Sequence, residues 1–397
     1  MPLRDVGVGE VWTETCIAFS ALVERWVGPT SATGSNTVES VNVGAQGGAG
    51  HFVPVHEHPA IAATTEILHP DGRATLSALA NGKRRLRAEL SRPGAYVRRA
   101  EWHTAYPDWL IKIVLEAKGL GYLCDEIMRD EDPTYIRRHV ELTVTAHIDP
   151  EELAGGEVLD FGCGAGASTV ILSKLLPNSN ITGVELSSKN LSIAHARAQF
   201  YGLQRTRLML SPAENTLPDR IGPFRAVMLS AVFEHLLPVE RKTLLPMLWG
   251  LLEPGGVMFI DETPSRWFPI ETHTTGLPFI NYLPDRLAAA YARRCSRRVR
   301  RDHSWDTMCR NGIRGGSVKE ILGLLPEADG RPILLEPHRL GIKDPLDLWF
   351  RGYATPGGGP VGAMKRKAIP LLRIAARFVD STSLVPYLSL AIRKASA

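Results

Sequence analysis

Glu157-Val158-Leu159-Asp160-Phe161-Gly162-Cys163-Gly164-Ala165-Gly166-Ala167-Ser168 is the stretch whose reading decides the fold. A short apolar run reaches an acid, and three alternate glycines follow before a helix-compatible segment, Ser168 to Leu176. The apolar run reads as a buried strand. Gly162, Gly164 and Gly166 let the chain turn sharply and let a ligand lie against bare backbone. Free N–H groups at the helix start then favour an anionic group.

A dinucleotide fingerprint spaces its glycines G-x-G-x-x-G so that a pyrophosphate fits over the turn. Here the spacing is G-x-G-x-G, with Asp160 two residues before the first glycine. An acid at that strand end repels phosphate and suits a ligand carrying an ammonium beside its carboxylate. Nineteen residues after Gly166, Glu185 closes a second apolar stretch, Ile181-Thr182-Gly183-Val184. A carboxylate so placed accepts hydrogen bonds from ribose hydroxyls. The implied ligand is a nucleoside bearing an amino acid.

At these residues the chain resembles the class I S-adenosylmethionine-dependent methyltransferases. Val158 to Gly166 is similar to their first motif and Val184-Glu185-Leu186-Ser187 to their second. Ser211-Pro212-Ala213-Glu214-Asn215-Thr216-Leu217-Pro218 resembles their adenine-side loop, with Pro212 where many relatives carry Asp. Leu229-Ser230-Ala231-Val232-Phe233-Glu234-His235-Leu236 resembles the motif after the fourth strand. The similarity is strong over about Leu153 to Asp261 and weaker to about Tyr353. It implies an α/β fold with a Rossmann-like, seven-stranded, mostly parallel sheet and helices on both faces. It also implies S-adenosyl-L-methionine as cofactor, held by Asp160, Gly162, Cys163, Gly164, Gly166, Glu185, Leu186, Ala213, Glu214 and Ser230. Tyr122, Arg129 and Tyr135 fall on helices that in this family often cover the cofactor pocket.

The totals bound the alternatives. A chain of 397 residues accommodates two domains or one decorated domain, and 44% hydrophobic content with mixed charge describes a soluble globular protein. The net charge of +4 is small, so basic character must be local and nucleic acid is disfavoured as a partner. Five cysteines without a C-x-x-C pair argue against a disulfide framework or zinc knuckle and for a reducing cytoplasm; no metal is expected. No apolar run is long enough to span a membrane, and the first ten residues do not read as a signal peptide.

Residues 1–60 read as poorly ordered, with a helix within Val11 to Trp26 and with His51, His56 and His58 in solvated loop. Residues 61–106 read as a small β-like region whose His69-Pro70-Asp71-Gly72 is a hairpin turn. Its basic run Lys83, Arg84, Arg85 and Arg87 reads as a solvated face. Residues 107–150 read as a helical cover and 151–355 as the methyltransferase domain. In that domain apolar runs without alternation mark strands buried on both faces. Ile333 to Leu335 is expected as the sixth strand and Leu346 to Phe350 as the seventh. From 361 to 397, stripes Ile369, Leu372, Ala376, Val379 and Leu384, Leu388, Ile392 predict a basic amphipathic helical tail, suited to packing or to peripheral contact with a membrane.

An insertion of about 264–315 reads as a lid over the carboxyl edge of the sheet. It mixes Trp267, Phe268, Glu271, His273, Thr274, Thr275, Phe279, Asn281 and Tyr282, the aromatic and polar blend of a small-molecule pocket. Its arginines Arg293, Arg294, Arg297, Arg298, Arg300 and Arg301 suit a phosphorylated or acidic substrate, or solvent. An acceptor hydroxyl wants a base near neutral pKa, and His235 and His273 are the candidates. The expected function is O-methylation of a small-molecule or glycan-like acceptor. Its rivals are carbon or nitrogen methylation of a lipid or quinone-type acceptor, and cofactor binding without turnover. The acceptor and the oligomeric state are left open.

Overall fold

The computed structural model describes residues 64–92, 97–352 and 369–396. The expectations for residues 1–60, including the three histidines, and for 353–368, including Lys365, Arg366 and Lys367, lie outside the described residues. The described chain divides into two units, one up to Met128 and one from Arg129 onward.

The first unit is an antiparallel meander of β1 (Thr64–His69), β2 (Gly72–Ala78), β3 (Arg84–Leu90) and β4 (Glu101–Thr104), in that order. It is followed by α1 (Asp108–Lys118) and α2 (Leu120–Glu131), whose last turn crosses into the second unit. Alternate residues Ala74, Leu76, Leu86 and Ala88 are buried, as a one-faced sheet requires. The basic run is largely paired: Arg84 with Asp108, Arg85 with Glu101 and Arg87 with Glu89.

The second unit opens with α3 (Ile136–Thr145) and then alternates strand and helix: β5 (Glu157–Phe161), α4 (Ala167–Leu175), β6 (Asn180–Glu185), α5 (Ser188–Phe200), β7 (Thr206–Leu210), β8 (Phe224–Ser230), α6 (Pro238–Gly250) and β9 (Leu252–Pro264). An insertion carries α7 (Asp285–Cys295) and α8 (Trp305–Arg310), after which come α9 (Val318–Leu324), β10 (Pro332–Leu335), α10 (Pro345–Gly352) and β11 (Tyr387–Lys394). The seven strands lie in the order β10-β11-β9-β8-β5-β6-β7. β5 to β9 pair in parallel, and β11 runs antiparallel to both of its neighbours. The Rossmann-like sheet that the family resemblance implied is therefore present.

Its strands feed two cores. Leu159, Val227, Leu229, Met258 and Ile260 pack on one face with Leu244, Leu248 and Trp249 of α6 and Ile321 of α9. Val158, Ala226, Met228, Val257 and Phe259 pack on the other with Val140 and Val144 of α3 and Ile171 and Leu172 of α4. Each strand thus sends successive side chains to opposite, equally dry faces, which explains the absence of polar alternation.

Two expectations about the last part of the chain need correction. Leu346 to Phe350 is not the seventh strand but lies in α10, where the Asp344 carboxylate accepts the amide of Asp347 and Pro345 opens the first turn. The stripe Leu384, Leu388, Ile392 is not helical: Leu388 and Ile392 lie on β11, beside Leu390 in one core, while Ala391 enters the other. A four-residue apolar spacing fits either period, and insertion between β9 and β10 decided it. Among the described residues of the tail, most of the charges are committed too. Arg373 pairs with Asp344 and Asp347, Arg393 with Glu152, and buried Lys394 donates to the carbonyls of Trp249 and Leu252. A short helix does occupy 369–375. Among the described residues no helix is long and apolar enough to cross a membrane.

β11 buries Tyr387, Leu388, Leu390 and Ile392 almost completely. At roughly 1.5–3 kcal/mol for each large apolar side chain, this strand alone rivals the net stability of a typical domain, about 5–15 kcal/mol. A chain ending at Pro386 is expected to lose its cooperative thermal transition by circular dichroism. A transition within a few degrees of the intact chain would show that β11 is dispensable.

Candidate functional site

The chain order reverses at β5, since the chain runs outward through β6 and β7 and then returns to β8 on the other side of β5. Open sheets of this kind bind ligands outside the carboxyl ends of the strands at such a reversal. A cleft of about 270 Å³ lies there. Its walls are Phe161 and Gly162 after β5, Val184, Glu185 and Leu186 at β6, and Ser211, Ala213 and Glu214 after β7. Ala231, Val232, His235 and Leu236 after β8, Leu244 of α6 and Arg310 of α8 close it.

The glycine turn is built on close approach. Gly162 has φ 70°, and a Cβ there would come within 2.7 Å of the Val232 side chain. Gly166 has φ 83°, and a Cβ there would meet Ala194 of α5 at 2.8 Å. Both positions need glycine for conformation and for space. At Gly164 an added Cβ would meet nothing within 4 Å, so bare backbone faces open room. The amides of Gly162 and Cys163 both donate to the carbonyl of Val184, tying the turn to β6. Cys163 is buried, and burial raises its thiol far above the ordinary range, so it is no nucleophile.

Asp160 is 1% exposed and lies beneath this turn, outside the cleft wall. Its Oδ2 accepts from Ser168 Oγ at 2.8 Å and Thr169 Oγ1 at 2.6 Å, both at the start of α4. Burial pushes its pKa up to about 6, against the lowering effect of those two hydroxyls. Behind the turn, Arg197 of α5 is wholly buried, donates to the Ala165 carbonyl at 2.7 Å and pairs with Asp130 at 3.1 Å. Sequence reading missed Arg197, although an arginine on the inner face of a helix is the signal that would have found it.

Glu185 stands in the cleft wall. Its Oε2 accepts from the Gly164 amide at 3.0 Å, and its Oε1 from the Ser187 amide at 2.8 Å and Asn190 Nδ2 at 3.4 Å. A carboxylate has about four acceptor sites, so one remains for a ligand hydroxyl. Half-exposed Leu186 lies beside it. Ala213 and Glu214 sit across the cleft in a turn held by Ser211 Oγ, which donates to the carbonyls of Ala213 and Thr216. Ser230 is not in the wall; Ala231, at φ 54°, and Val232 take that place. Arg129 and Tyr135 are likewise absent from the wall, and Tyr122 belongs to the first unit.

The far corner is made by the turn after β8 and by the insertion. Backbone bonds from Arg266 to Gly316 and from Gly316 to Pro264 close the base of that insertion, and Leu277, Ile280, Ala288, Ala292, Met308 and Ile313 form its core. Arg310 makes two parallel bonds to buried Glu240 and reaches Glu214 at 3.1 Å. Its carbonyl accepts from His235 Nδ1 at 2.6 Å, so the lone pair of the neutral ring sits on Nε2. Burial lowers the His235 pKa, keeping that neutral form. Glu234 is fully buried, and burial raises its pKa to about 8. The His273 ring lies 5.5 Å from that of His235, centroid to centroid, outside the cleft wall but next to it.

The remaining insertion residues are differently placed. Glu271 is buried and caps its own loop, accepting from the amides of His273, Thr274 and Thr275. Trp267, Phe279 and Tyr282 are exposed and do not line the cleft. Within the arginine cluster, Arg293 and Arg298 bond to the carbonyls of His303 and Thr272, and Arg300 pairs with Asp302. Arg310, which the sequence reading passed over, is the arginine of the cleft.

Residues 158–256 match the family model described as a methyltransferase domain. Over 135 residues the chain is 30% identical to a mitochondrial ubiquinone biosynthesis O-methyltransferase of Rattus norvegicus, covering 34% of this chain and 38% of that one. It is 32% identical over 125 residues to a trans-aconitate 2-methyltransferase of Methylobacterium radiotolerans, covering 32% and 43%. A ubiquinone biosynthesis O-methyltransferase of Psychrobacter arcticus is 32% identical over 148 residues, covering 36% and 54%. The chain therefore spans between 38% and 54% of the length of these relatives.

The Asp160 shift carries a pH signature. Its folded pKa of about 6 stands above the ordinary 3.8, so its favourable contribution is complete below pH 3.8 and lost as pH rises through about 6. The loss amounts to about 3 kcal/mol. Asp160→Asn is expected to become more stable relative to the parent chain by roughly this amount between pH 4 and 6.5, by denaturant titration without ligand. Parallel curves for the two proteins would show that Asp160 does not titrate there.

Proposed function

We propose that this chain, which carries a class I S-adenosylmethionine-dependent methyltransferase domain, transfers the cofactor's methyl group to a hydroxyl of a small-molecule or glycan-like acceptor. The observation that carries the reading is one cleft with an acceptor-rich wall at Glu185 and a basic corner at His235. Bound S-adenosylmethionine supplies an activated methyl on a sulfonium. The residues fit it: Gly162 lines the cleft, the backbone at Gly164 is open, and Glu185 retains capacity for a ribose hydroxyl. Ala213 and Glu214 would flank the adenine, and buried Asp160 would set a negative field under the turn on the side suited to an ammonium.

What the chain does for the reaction is chiefly positioning, because a sulfonium methyl needs no further activation. With the cofactor bound, its methyl would pass from sulfur to the acceptor oxygen, and His235, whose Nδ1 is held by the Arg310 carbonyl, would receive the hydroxyl proton at Nε2. Phe161, Val184, Leu236 and Leu244 give that cleft apolar walls. The ubiquinone and trans-aconitate relatives are named for oxygen methylation or for a small acid, which supports a small acceptor.

A second reading has its own support. Leu371, Ile374 and Phe378 are 69%, 54% and 84% exposed, at helical spacing directly after the basic Lys365-Arg366-Lys367. Exposed apolar side chains that follow a basic run in the sequence suit an anionic membrane surface that delivers the acceptor.

Isothermal calorimetry with S-adenosylhomocysteine tests the cofactor assignment. Glu185→Ala is expected to weaken binding by about 1.5–3 kcal/mol, and a parent chain that gives no heat refutes the assignment. Turnover is tested by incubating host extract with the chain and methyl-labelled cofactor; unlabelled products throughout would leave a binding protein. For the membrane reading, the chain should co-sediment with phosphatidylserine vesicles at low salt, and the triple variant Leu371→Ser, Ile374→Ser, Phe378→Ser should stay in the supernatant. Equal behaviour of the two proteins would end that reading.

A further inference from the structure

Glu234, His235 and His273 each bring a ligand-type atom within 4.8 Å of the other two. Glu234 and His235 lie on the one-turn segment Phe233–His235 that follows β8, while His273 comes from the insertion. The side chain of Glu234 is 0% exposed. Its Oε2 accepts from Thr263 Oγ1 at 3.2 Å, but its buried Oε1 meets no donor. That oxygen faces His235 Nε2 at 3.6 Å.

The two groups therefore face one another without a hydrogen bond between them. The Nδ1–H of His235 is committed to the Arg310 carbonyl, so Nε2 presents a lone pair towards the carboxylate. A metal ion with bonds of about 2.0–2.2 Å holds tetrahedral ligand atoms about 3.3–3.5 Å apart, close to the 3.6 Å between Glu234 and His235, while the three residues' atoms lie within 4.8 Å of one another, so His273 has to close in on the ion. The outer contacts are also those that orient metal ligands: a carbonyl on the far nitrogen of the imidazole and a hydroxyl on the far oxygen of the carboxylate.

Gly312 completes the arrangement. It has φ 92°, and a Cβ there would fall 2.7 Å from His273 Cδ2 and 3.2 Å from Glu234 Cγ. Bare backbone at this point of the insertion is what lets both side chains occupy the same corner.

We propose that Glu234, His235 and His273 form a binding site for a divalent cation of the zinc type, with its fourth position open towards the cleft. Two imidazole nitrogens and one carboxylate oxygen favour zinc over magnesium or calcium, which prefer sets made of oxygen alone. Three protein ligands with an open place is the pattern of a catalytic rather than a structural zinc site. What the cation would do rests on the methyl-transfer reading. It would lower the pKa of an acceptor hydroxyl at the open place, the proton passing to water before the O–C bond forms and the C–S bond breaks. His235 then acts as a ligand, and the cation rather than the free imidazole prepares the nucleophile.

The test uses the full-length chain, stripped with chelator and dialysed, with Co²⁺ as a spectroscopic probe and Zn²⁺ as competitor. One equivalent of Co²⁺ should give the intense visible absorption of a four-coordinate site and be displaced by Zn²⁺. Glu234→Gln and His273→Ala should each weaken Zn²⁺ binding at least about tenfold, while His273→Ala retains its calorimetric response to S-adenosylhomocysteine. A parent chain that binds no more Co²⁺ than the His235→Ala, His273→Ala double variant overturns the site. Absence of any S-adenosylhomocysteine response in the parent chain would instead overturn the cofactor reading, so the two failures are distinguishable.

Discussion

Asp160, held dry at the end of the central strand, is the point on which the site turns. Its carboxylate accepts the hydroxyls of Ser168 and Thr169, which locks the last residue but one of β5 to the first turn of α4. The glycines between them have no alternative path, because Gly162 is pressed on Val232 and Gly166 on Ala194. Burying a carboxylate is costly, and two hydroxyl donors offset only part of that cost, as the upward shift of its pKa records. The arrangement is expensive in stability and strict in geometry. Arg197 adds to the strictness, since a fully buried guanidinium holds the Ala165 carbonyl from behind. A turn so constrained keeps the same surface towards the cleft whatever binds in it.

The insertion contributes in a different way. It has its own small core and is stitched shut at Pro264 and Gly316, so it behaves as an appended structural unit and not as a long loose loop. From that base it sends two groups to the cleft corner: Arg310, whose side chain clamps Glu240 and Glu214, and His273. The loop that carries His273 is organised around the Glu271 carboxylate, which gathers three successive backbone amides. Glu271 was expected among pocket residues, and it serves the pocket at one remove, by fixing the backbone from which His273 projects.

The end of the chain is tied to the same sheet. β11 enters between β9 and β10 after the segment at 353–368 and returns the last residues to both cores. Its Ser389 Oγ donates to Asp261 at 2.6 Å, and Tyr387 stands with its ring 6.4 Å from that of His273. The site corner and the final strand are thus mechanically continuous.

By itself the sequence determined strands β5 to β9, their parallel sense, and the cleft wall at Gly162 and Glu185, while Ala213 and Glu214 came from the family resemblance. These follow from local signals: unbroken apolar runs, glycines at fixed spacing and acids at strand ends, each read within a dozen residues. Tertiary structure alone decided what depends on distant partners. Leu388 and Ile392 are four apart, which suits a helix as well as a strand, and only a gap between two strands made them β. Leu346 to Phe350 is as apolar as a strand, yet its Asp344 cap and the shape of the adjoining core made it helical. Asp160 could be read as an acid at the ligand's edge, but whether it faces the cleft or lies beneath the turn depends on which hydroxyls reach it. His235 and His273 were both legible as basic side chains, about forty residues apart in sequence. Their meeting beside Glu234, with Gly312 clearing the space, is a property of packing, because no local pattern encodes which side chains a buried corner will bring together.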